Sequence, residues 1–547
     1  MTEYQWGTKE ALRQLLCEVV SWDSRTLTAG ERDFPAKVSE KLKNLPYFQE
    51  NPSHLGLHDA DLGRRFVTAL YKHPVAAETI VLISHFDTVF TEEYGDIEEF
   101  AFRPEELTQL LHSRIDSLPE DAQKDLLSGE YLFGRGTMDM KMGLVMHMGV
   151  IEKATTEKWP INLVLLTVPD EEVNSSGMRA AVLKLVEMRE KHDLNYKLFL
   201  NGEPVFSQQP GDPNYYIYSG SIGKIMPSVF FYGRETHVGE PLSGITANYI
   251  ASFMTKEMEW NPKLQETVMG EKTPLPVTLQ QKDLKMEYST QTPFRAVALY
   301  NVFLMKRNAA EIMDIFEGIA RDAAKSCNED YQKICSTQGV KPVGEIRVYR
   351  FEELLDYAIR KLGQDFVESV KTEILGNNKW SDRDKSFQIV DSLMIECQEL
   401  SPAMVLLYAP PYYPAVNSSD CDFIIECVDY VKSQSMEKFA LPVKQVHYFN
   451  GISDLSYVNY KEEGDGWTSF ISNTPVWGGN YSIPFEEMKQ LQAPVLNVGP
   501  FGKDAHKRTE RLHMKSAFEE VPSLVEGLIR NISNSAGACQ NSITNSL

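Results

Sequence analysis

Four short apolar runs constrain this chain most: TIVLISHFD at 79–87, NLVLLTVPDEE at 162–172, KLFLNGEP at 197–204 and APVLNVGP at 493–500. Each is a near-continuous Val, Ile and Leu stretch, without the alternation of a strand that keeps one face wet. Amphipathic stretches such as Lys141–Ala154 and Gly177–Lys191 separate the first three. The pattern predicts parallel strands buried on both faces, and hence an α/β class: a mainly parallel sheet with helices on both faces. In open sheets of this kind, sites form beyond the carboxyl ends of the strands. His and acidic residues stand at those ends here.

The stretch from about 212 to 350 reads differently. YYIYSGSIGKIMPSVFFYG, VTLQQKDLKMEYS, AVALYNVFLM and EIRVYRF are strand-like, with helical segments at Ser243–Glu259 and Ala309–Ala324. This pattern suits an α+β unit inserted into the larger one. The division expected is residues 1–211 and 351–547 for the main domain and 212–350 for the insert. A strand at Met404–Tyr408 is expected to rejoin the main sheet, and the polar segment 531–547 is expected to fray.

Length and charge agree with this picture. At 547 residues the chain exceeds one ordinary domain of about 100–200 residues. With 77 Asp and Glu against 55 Lys and Arg it carries a net charge of −22, which argues against a nucleic-acid or anionic-membrane partner. Cys17, Cys327, Cys335, Cys397, Cys421, Cys427 and Cys539 are scattered, with no Cys-x-x-Cys pair. Neither a disulfide framework nor a thiolate zinc site follows, and a reducing compartment is expected. The first residues lack a signal-peptide pattern and no run reaches the ~18 apolar residues of a membrane span, so a cytoplasmic protein is expected.

The chemistry-bearing residues come in a fixed order. His85 is followed by Asp87, which can orient the imidazole through its second nitrogen. GRGTMDMKMG at 134–143 delivers Asp139 on a glycine-framed turn before a helix. Asp170, Glu171 and Glu172 close the second run, Glu203 lies in NGEP, and His506 in GPFGKDAHKRTE. Singly, each has an ordinary structural role: a hydrogen-bonded strand-end His, a carboxylate at a helix start, a turn. The methionines at 138, 140, 142, 146 and 148 read as core filler. Jointly, two imidazoles and several carboxylates without thiolates suit zinc, cobalt or manganese. There is no HExxH, GxSxG or GxxxxGK[ST] motif, and GRG lacks the third glycine of a dinucleotide fingerprint.

SHFDTV, GRGTMDMKMG, DEE, GEP, GRETHVGEPLSGITAN and AHKRTE together resemble the dinuclear metallopeptidase family of aminoacylase, carboxypeptidase G and succinyl-diaminopimelate desuccinylase, from about residue 10 to 530. The FAFRPEELTQLL insert and the APPYYPAV segment resemble the arginine-utilisation protein subfamily. The resemblance implies two divalent ions per chain, zinc foremost: one held by His85, Asp139 and Glu203, the other by Asp139, Glu172 and His506. It assigns Glu171 as general base. Two ions ~3.5–4 Å apart can clamp a hydroxide and polarise a carbonyl.

His237, in RETHVGEP, matches the histidine that reaches the scissile carbonyl from the small domain, usually of a partner subunit, which implies a homodimer through that lid. Asn248 and Asp454, the latter in GISD where the family has Gly-Gly-Thr-Asp, match substrate-side positions. Tyr412 and Tyr413 are candidates to line the pocket, or else a rigid proline turn with packed aromatics. The Asp-x-Arg pattern that binds a substrate carboxylate in relatives is absent: Asn301 and Phe303 stand there, with Lys306 and Arg307 nearby. The activity implied is hydrolysis of an amide bond in a small N-acyl amino acid or short peptide, with a link to arginine or amino-acid breakdown. A true aminopeptidase and a catalytically idle dimeric binding protein that kept the fold are the alternatives.

Overall fold

The computed structural model describes residues 4–544 except 207, 210, 211, 213, 462, 463 and 480. It divides into two compact units. The first comprises Met1–Ser221, Val416–Tyr460 and Pro484–Leu547; the second comprises Ile222–Ala415 and Lys461–Ile483.

The first unit is built on an eight-stranded sheet. Its spatial order is Leu55–Asp59, Arg65–Tyr71, Asn162–Val168, Glu78–His85, Asn195–Asn201, Val495–Asn497, Tyr215–Tyr218 and Val443–Val446. The strands that end in His85, Val168, Asn201 and Asn497 run parallel, as their uninterrupted apolar character predicts. Two antiparallel strands close one edge. Alternate residues face opposite ways. Ile80, Leu82, Leu163, Leu165, Leu198 and Leu200 join a core shared with helices Lys9–Ser21, Met142–Glu157, Asp422–Phe439 and the start of Val521–Thr544. Helix Ser176–His192 buries Met178, Ala181, Val182 and Leu185 and packs against strands Arg65–Tyr71 and Asn162–Val168.

Val521–Thr544 takes in residues 531–544, which are expected above to fray. Leu524, Val525, Leu528, Ile529 and Ile532 anchor its first turns in the core. Residues 545–547 lie outside the described residues.

A second, three-stranded sheet pairs Gly502–Lys503 with Arg511–His513 and the latter with Tyr131–Phe133. It joins the segment that leads into the Asp139 turn to the hairpin that carries His506.

In the second unit, strands run in the order Val277–Asp283, Arg295–Leu304, Pro227–Tyr232, Ala403–Tyr408 and Arg347–Arg350, with Gly223–Ile225 paired to Arg295–Leu304. Helices Ala247–Met258 and Ala309–Thr337 cover the sheet, the latter opened by a capping box between Asn308 and Glu311. Strand Ala403–Tyr408 does not rejoin the main sheet as expected. It pairs antiparallel with Pro227–Tyr232 and parallel with Arg347–Arg350. Its apolar run demanded burial on both faces, which the centre of this sheet supplies equally well. The unit therefore extends beyond the 212–350 expected for the insert. No helix among the described residues is long and apolar enough to cross a membrane.

Leu82 is fully buried in the central strand, whereas Leu183 is exposed on helix Ser176–His192. Leu82→Ala is expected to lower unfolding stability by about 2–5 kcal/mol. Leu183→Ala is expected to stay within about 0.5 kcal/mol of the parent. Denaturant unfolding of the two variants beside the parent checks both values.

Candidate metal centre

His85 is the last residue of its strand and is buried. Its Nδ1 lies 3.1 Å from the backbone carbonyl of Asp87, which directs Nε2 outward from the strand end. Nε2 then lies 3.2 Å from Asp139 Oδ1 and 3.5 Å from Glu203 Oε1. The other oxygen of Asp139, Oδ2, lies 3.2 Å from His506 Nε2, and that nitrogen is 3.1 Å from Glu172 Oε2. Two donor triads therefore share Asp139: His85, Asp139 and Glu203, then Asp139, Glu172 and His506. Glu171 Oε2 approaches the first at 3.9 Å from His85 Nε2.

Local backbone chemistry aims each of these groups. Asp139 leaves the GRGTMD turn just before helix Met142–Glu157, and Gly143 at the start of that helix lies against the Glu203 segment. A Cβ at Gly143 would come within 2.5 Å of the Gly202 carbonyl oxygen, so only glycine lets the two segments meet. The Glu171–Glu172 loop hangs from two buried acids. Asp87 accepts the Glu171 amide at 3.0 Å and the Glu172 amide at 3.3 Å, and also the Thr26 hydroxyl at 2.9 Å. Asp170, at a positive φ of 69°, accepts the Ser176 amide at 3.0 Å and pairs with buried Arg64, which also pairs with Glu31 and Asp61.

Asp87 is thus placed to orient His85 through its backbone carbonyl. The carbonyl is the nearer acceptor, with carboxylate Oδ1 at 3.5 Å, and the carboxylate's main service is to the Glu171–Glu172 amides. The cause is that the strand ends at His85, so strand alternation does not carry over to Asp87.

The electrostatics follow from burial. Burial, and then the charges of Glu203, Asp454 and Glu172, push Glu171 well above the usual carboxylate range. Burial and then Asp139, Asp454 and Glu172 do the same to Glu203, and Glu172 is raised by burial and by Asp139. Asp139 goes the other way: against the push of burial, its bonds to His506 and His85 hold it below the usual range. Burial alone lowers a histidine, yet Glu203, Asp139 and Asp87 raise His85 well above its ordinary value, and Asp139 with Glu172 push His506 up to about 11. Carboxylates packed this closely away from water need compensating positive charge. The all-oxygen-and-imidazole donor set fits a divalent cation.

Asp454 is also brought to this cluster. It is buried, pushed up to about 7 by burial and then by Asp87 and Asp170, and its charge acts on Glu171 and Glu203. The remaining candidates belong to the second unit. His237 is exposed, its Nδ1 3.0 Å from the Gly239 amide. Asn248 is exposed on helix Ala247–Met258 and donates to Asp283 at 3.2 Å. Tyr412 and Tyr413 are buried in that unit; the Tyr412 ring packs 4.6 Å from Phe470 and its amide donates to the Tyr481 hydroxyl.

Sequence reading did not single out Arg64 or Glu510. Arg64 sits in no motif. Glu510 lies within AHKRTE, where buried Arg135 of GRG donates to it at 2.5 Å and so ties the Asp139 turn to the His506 segment.

The family model described as peptidase family M20/M25/M40 matches residues 81–340. Two proteins of Bacillus subtilis (strain 168) are similar along nearly the whole chain. One is YqjN, 42% identical over 544 residues, which are 97% of this chain and 98% of that protein. The other is RocB, 30% identical over 534 residues, 94% of each. Among solved structures, the M20 family metallo-carboxypeptidase Sso-CP2 from Sulfolobus solfataricus matches with a TM-score of 0.55 at 11% identity, covering 94% of this chain and 98% of that one. At that identity the likeness speaks for the fold.

The pKa directions set a test for the cluster. Glu171, Glu203, His85 and His506 all have folded values above their unfolded ones. In metal-free protein their contribution to stability is complete below the unfolded values and is lost as pH rises through the folded ones. Metal binding requires the deprotonated ligands and so strengthens in the same direction of pH. The gap between Tm in zinc and Tm in chelator is expected to widen from about pH 5 to about pH 8. Thermal unfolding across that range checks it, and a gap that stays constant rules His85, Glu203 and His506 out as ligands.

Proposed function

This chain belongs to peptidase family M20/M25/M40 and is a metal-dependent hydrolase of amide bonds; we propose that it works with two ions per chain on a small N-acyl amino acid or short peptide. The observation that carries the two-ion reading is Asp139, whose two oxygens each face a different imidazole at 3.2 Å. His85, Asp139 and Glu203 would hold one ion; Asp139, Glu172 and His506 would hold the other. Bound there, zinc, or cobalt or manganese, supplies Lewis acidity toward a carbonyl oxygen and lowers the pKa of a water.

Glu171 is the base. It stands beside the first triad, its amide fixed by Asp87. It takes one proton from the attacking water and gives a proton to the leaving amine nitrogen as the carbon–nitrogen bond breaks. Asp87 acts through others: its carbonyl fixes the His85 ring and its carboxylate fixes the loop that presents both glutamates. His237 would donate to the developing oxyanion, arriving from the second unit of a partner subunit in a homodimer. Asp454 would stand on the substrate side of the cluster, and Asn248 on that of the second unit.

The substrate class rests on the resemblance to aminoacylase-like enzymes, and the place in arginine or amino-acid breakdown on the resemblance to the arginine-utilisation subfamily. Asn301 and Phe303 of strand Arg295–Leu304 occupy the Asp and Arg positions of the Asp-x-Arg pattern, with Phe303 half-buried near the strand's end. A substrate carboxylate would therefore meet no guanidinium at that strand position.

Glu171→Ala is expected to lower turnover by about 10²–10⁴ while keeping both ions, and Asp139→Ala to lose metal as well. Metal analysis of each variant, with a panel of N-acyl amino acids and dipeptides as substrates, checks this. Turnover of Glu171→Ala within about tenfold of the parent overturns the assignment of the base.

A further inference from the structure

The two triads differ in how their imidazoles are held. His85 is a buried strand residue, but the His506 side chain is 48% exposed. It stands in the hairpin loop between Gly502–Lys503 and Arg511–His513, where Asp504 and His506 both take positive φ values, 60° and 65°. Packing does not fix it, so something must fix the loop.

The loop is tied through Arg511, whose side chain is fully buried. It pairs with Asp504, which also accepts the Thr509 hydroxyl at 2.8 Å and pairs with Lys507, so one carboxylate gathers both ends of the turn around His506. The other nitrogens of Arg511 reach out of the hairpin to Asp121 at 2.8 Å and Asp125 at 2.6 Å. These aspartates are spaced i, i+4 on helix Glu120–Ser128, so they share one face. Asp125 also takes Lys503 at 2.8 Å, the residue paired with Arg511 across the hairpin.

Helix Glu120–Ser128 belongs to a helical insert, residues 92–128, with a small core of its own that includes Tyr94, Leu107, Leu111 and Leu126. The same insert grips the Asp139 turn from the other side. The Arg135 amide donates to the Ala101 carbonyl at 2.9 Å, and its guanidinium pairs with Glu93 and lies 5.6 Å from the centre of the Tyr94 ring. One insert thus holds the two segments that carry Asp139 and His506, and among the described residues no ion pair or hydrogen bond joins it to Glu203.

We infer that the 92–128 insert, through Asp121 and Asp125 on Arg511, is a positioning element that sets the affinity of the second half-site, Asp139, Glu172 and His506, independently of the first. This rests on the two-ion reading above. Groups that orient metal ligands from behind typically change metal affinity by about 10–100-fold when removed.

The test is a zinc titration of the full-length chain against a chromophoric chelator, with stoichiometry by elemental analysis and no appeal to activity. The parent is expected to take up two equivalents. Asp121→Asn with Asp125→Asn is expected to leave the first equivalent unchanged and to weaken the second by about 10–100-fold, so that it returns only at higher zinc. Asp125→Glu, which keeps the charge, is expected to recover part of that loss. Glu526→Gln, which removes a partner of Lys153 on another part of the same unit, controls for the loss of an ion pair as such and is expected to change neither equivalent. Two equivalents of unchanged affinity in the double variant overturn the inference, and so does a parallel loss of both, which marks a general loss of structure. A parent that takes up one equivalent overturns the two-ion reading and this inference with it.

Discussion

Everything at this centre depends on one electrostatic condition: several carboxylates are held out of water around two imidazoles, one at the end of a buried parallel strand and one in a hairpin loop. Asp139 resolves part of the conflict by turning one oxygen to each histidine, at 3.2 Å in both cases. The remainder is visible in Glu171, Glu172 and Glu203, all driven upward by burial and by one another. A low-dielectric site magnifies both attraction and repulsion, so the arrangement is strained electrically unless positive charge is added. That gives the sheet its function. A rigid set of parallel strands prevents the acids from relaxing apart.

Behind this inner ring lies a ring of arginine–carboxylate contacts that decides where the acids point. Arg64 with Asp170 sets the base of the Glu171–Glu172 loop, Arg135 with Glu510 joins the Asp139 turn to the His506 segment, and Arg511 with Asp504 shapes the last hairpin. All three guanidiniums are buried. Their planar forks suit simultaneous bonds to separate segments, and removing one partner of such a pair leaves an uncompensated buried charge.

The inner ring was legible in the sequence and the outer ring largely was not. His85, Asp139, Glu172, Glu203 and His506 follow apolar runs or glycine turns, and those runs announce strands by composition alone. The arginines carry no periodic signal, and their partners lie far off in sequence: Arg135 and Glu510 are separated by 375 positions. The apolar run at Ala403–Tyr408 announced a buried strand correctly but held no information about which sheet would bury it. Tyr412 and Tyr413 stand beside prolines that suit either a binding loop or a packed turn, and both side chains are buried. Asp87 was legible as a partner of His85, but its larger service to two backbone amides depends on where the strand stops.

The main sheet is assembled from distant parts of the chain. Strand Val495–Asn497 lies between Asn195–Asn201 and Tyr215–Tyr218, and the hairpin carrying His506 follows it. During synthesis, which runs from the amino end at about 5–20 residues per second, all the chain from Asn201 to Val495 must therefore be added before the middle of this sheet can close. Until then the neighbouring strands keep open edges, which are templates for wrong pairing, and their correct partner is far away along the chain, the situation in which folding is slow. A nascent chain of this protein therefore carries His85 long before His506, and in the interval between them these strand edges stand unpaired.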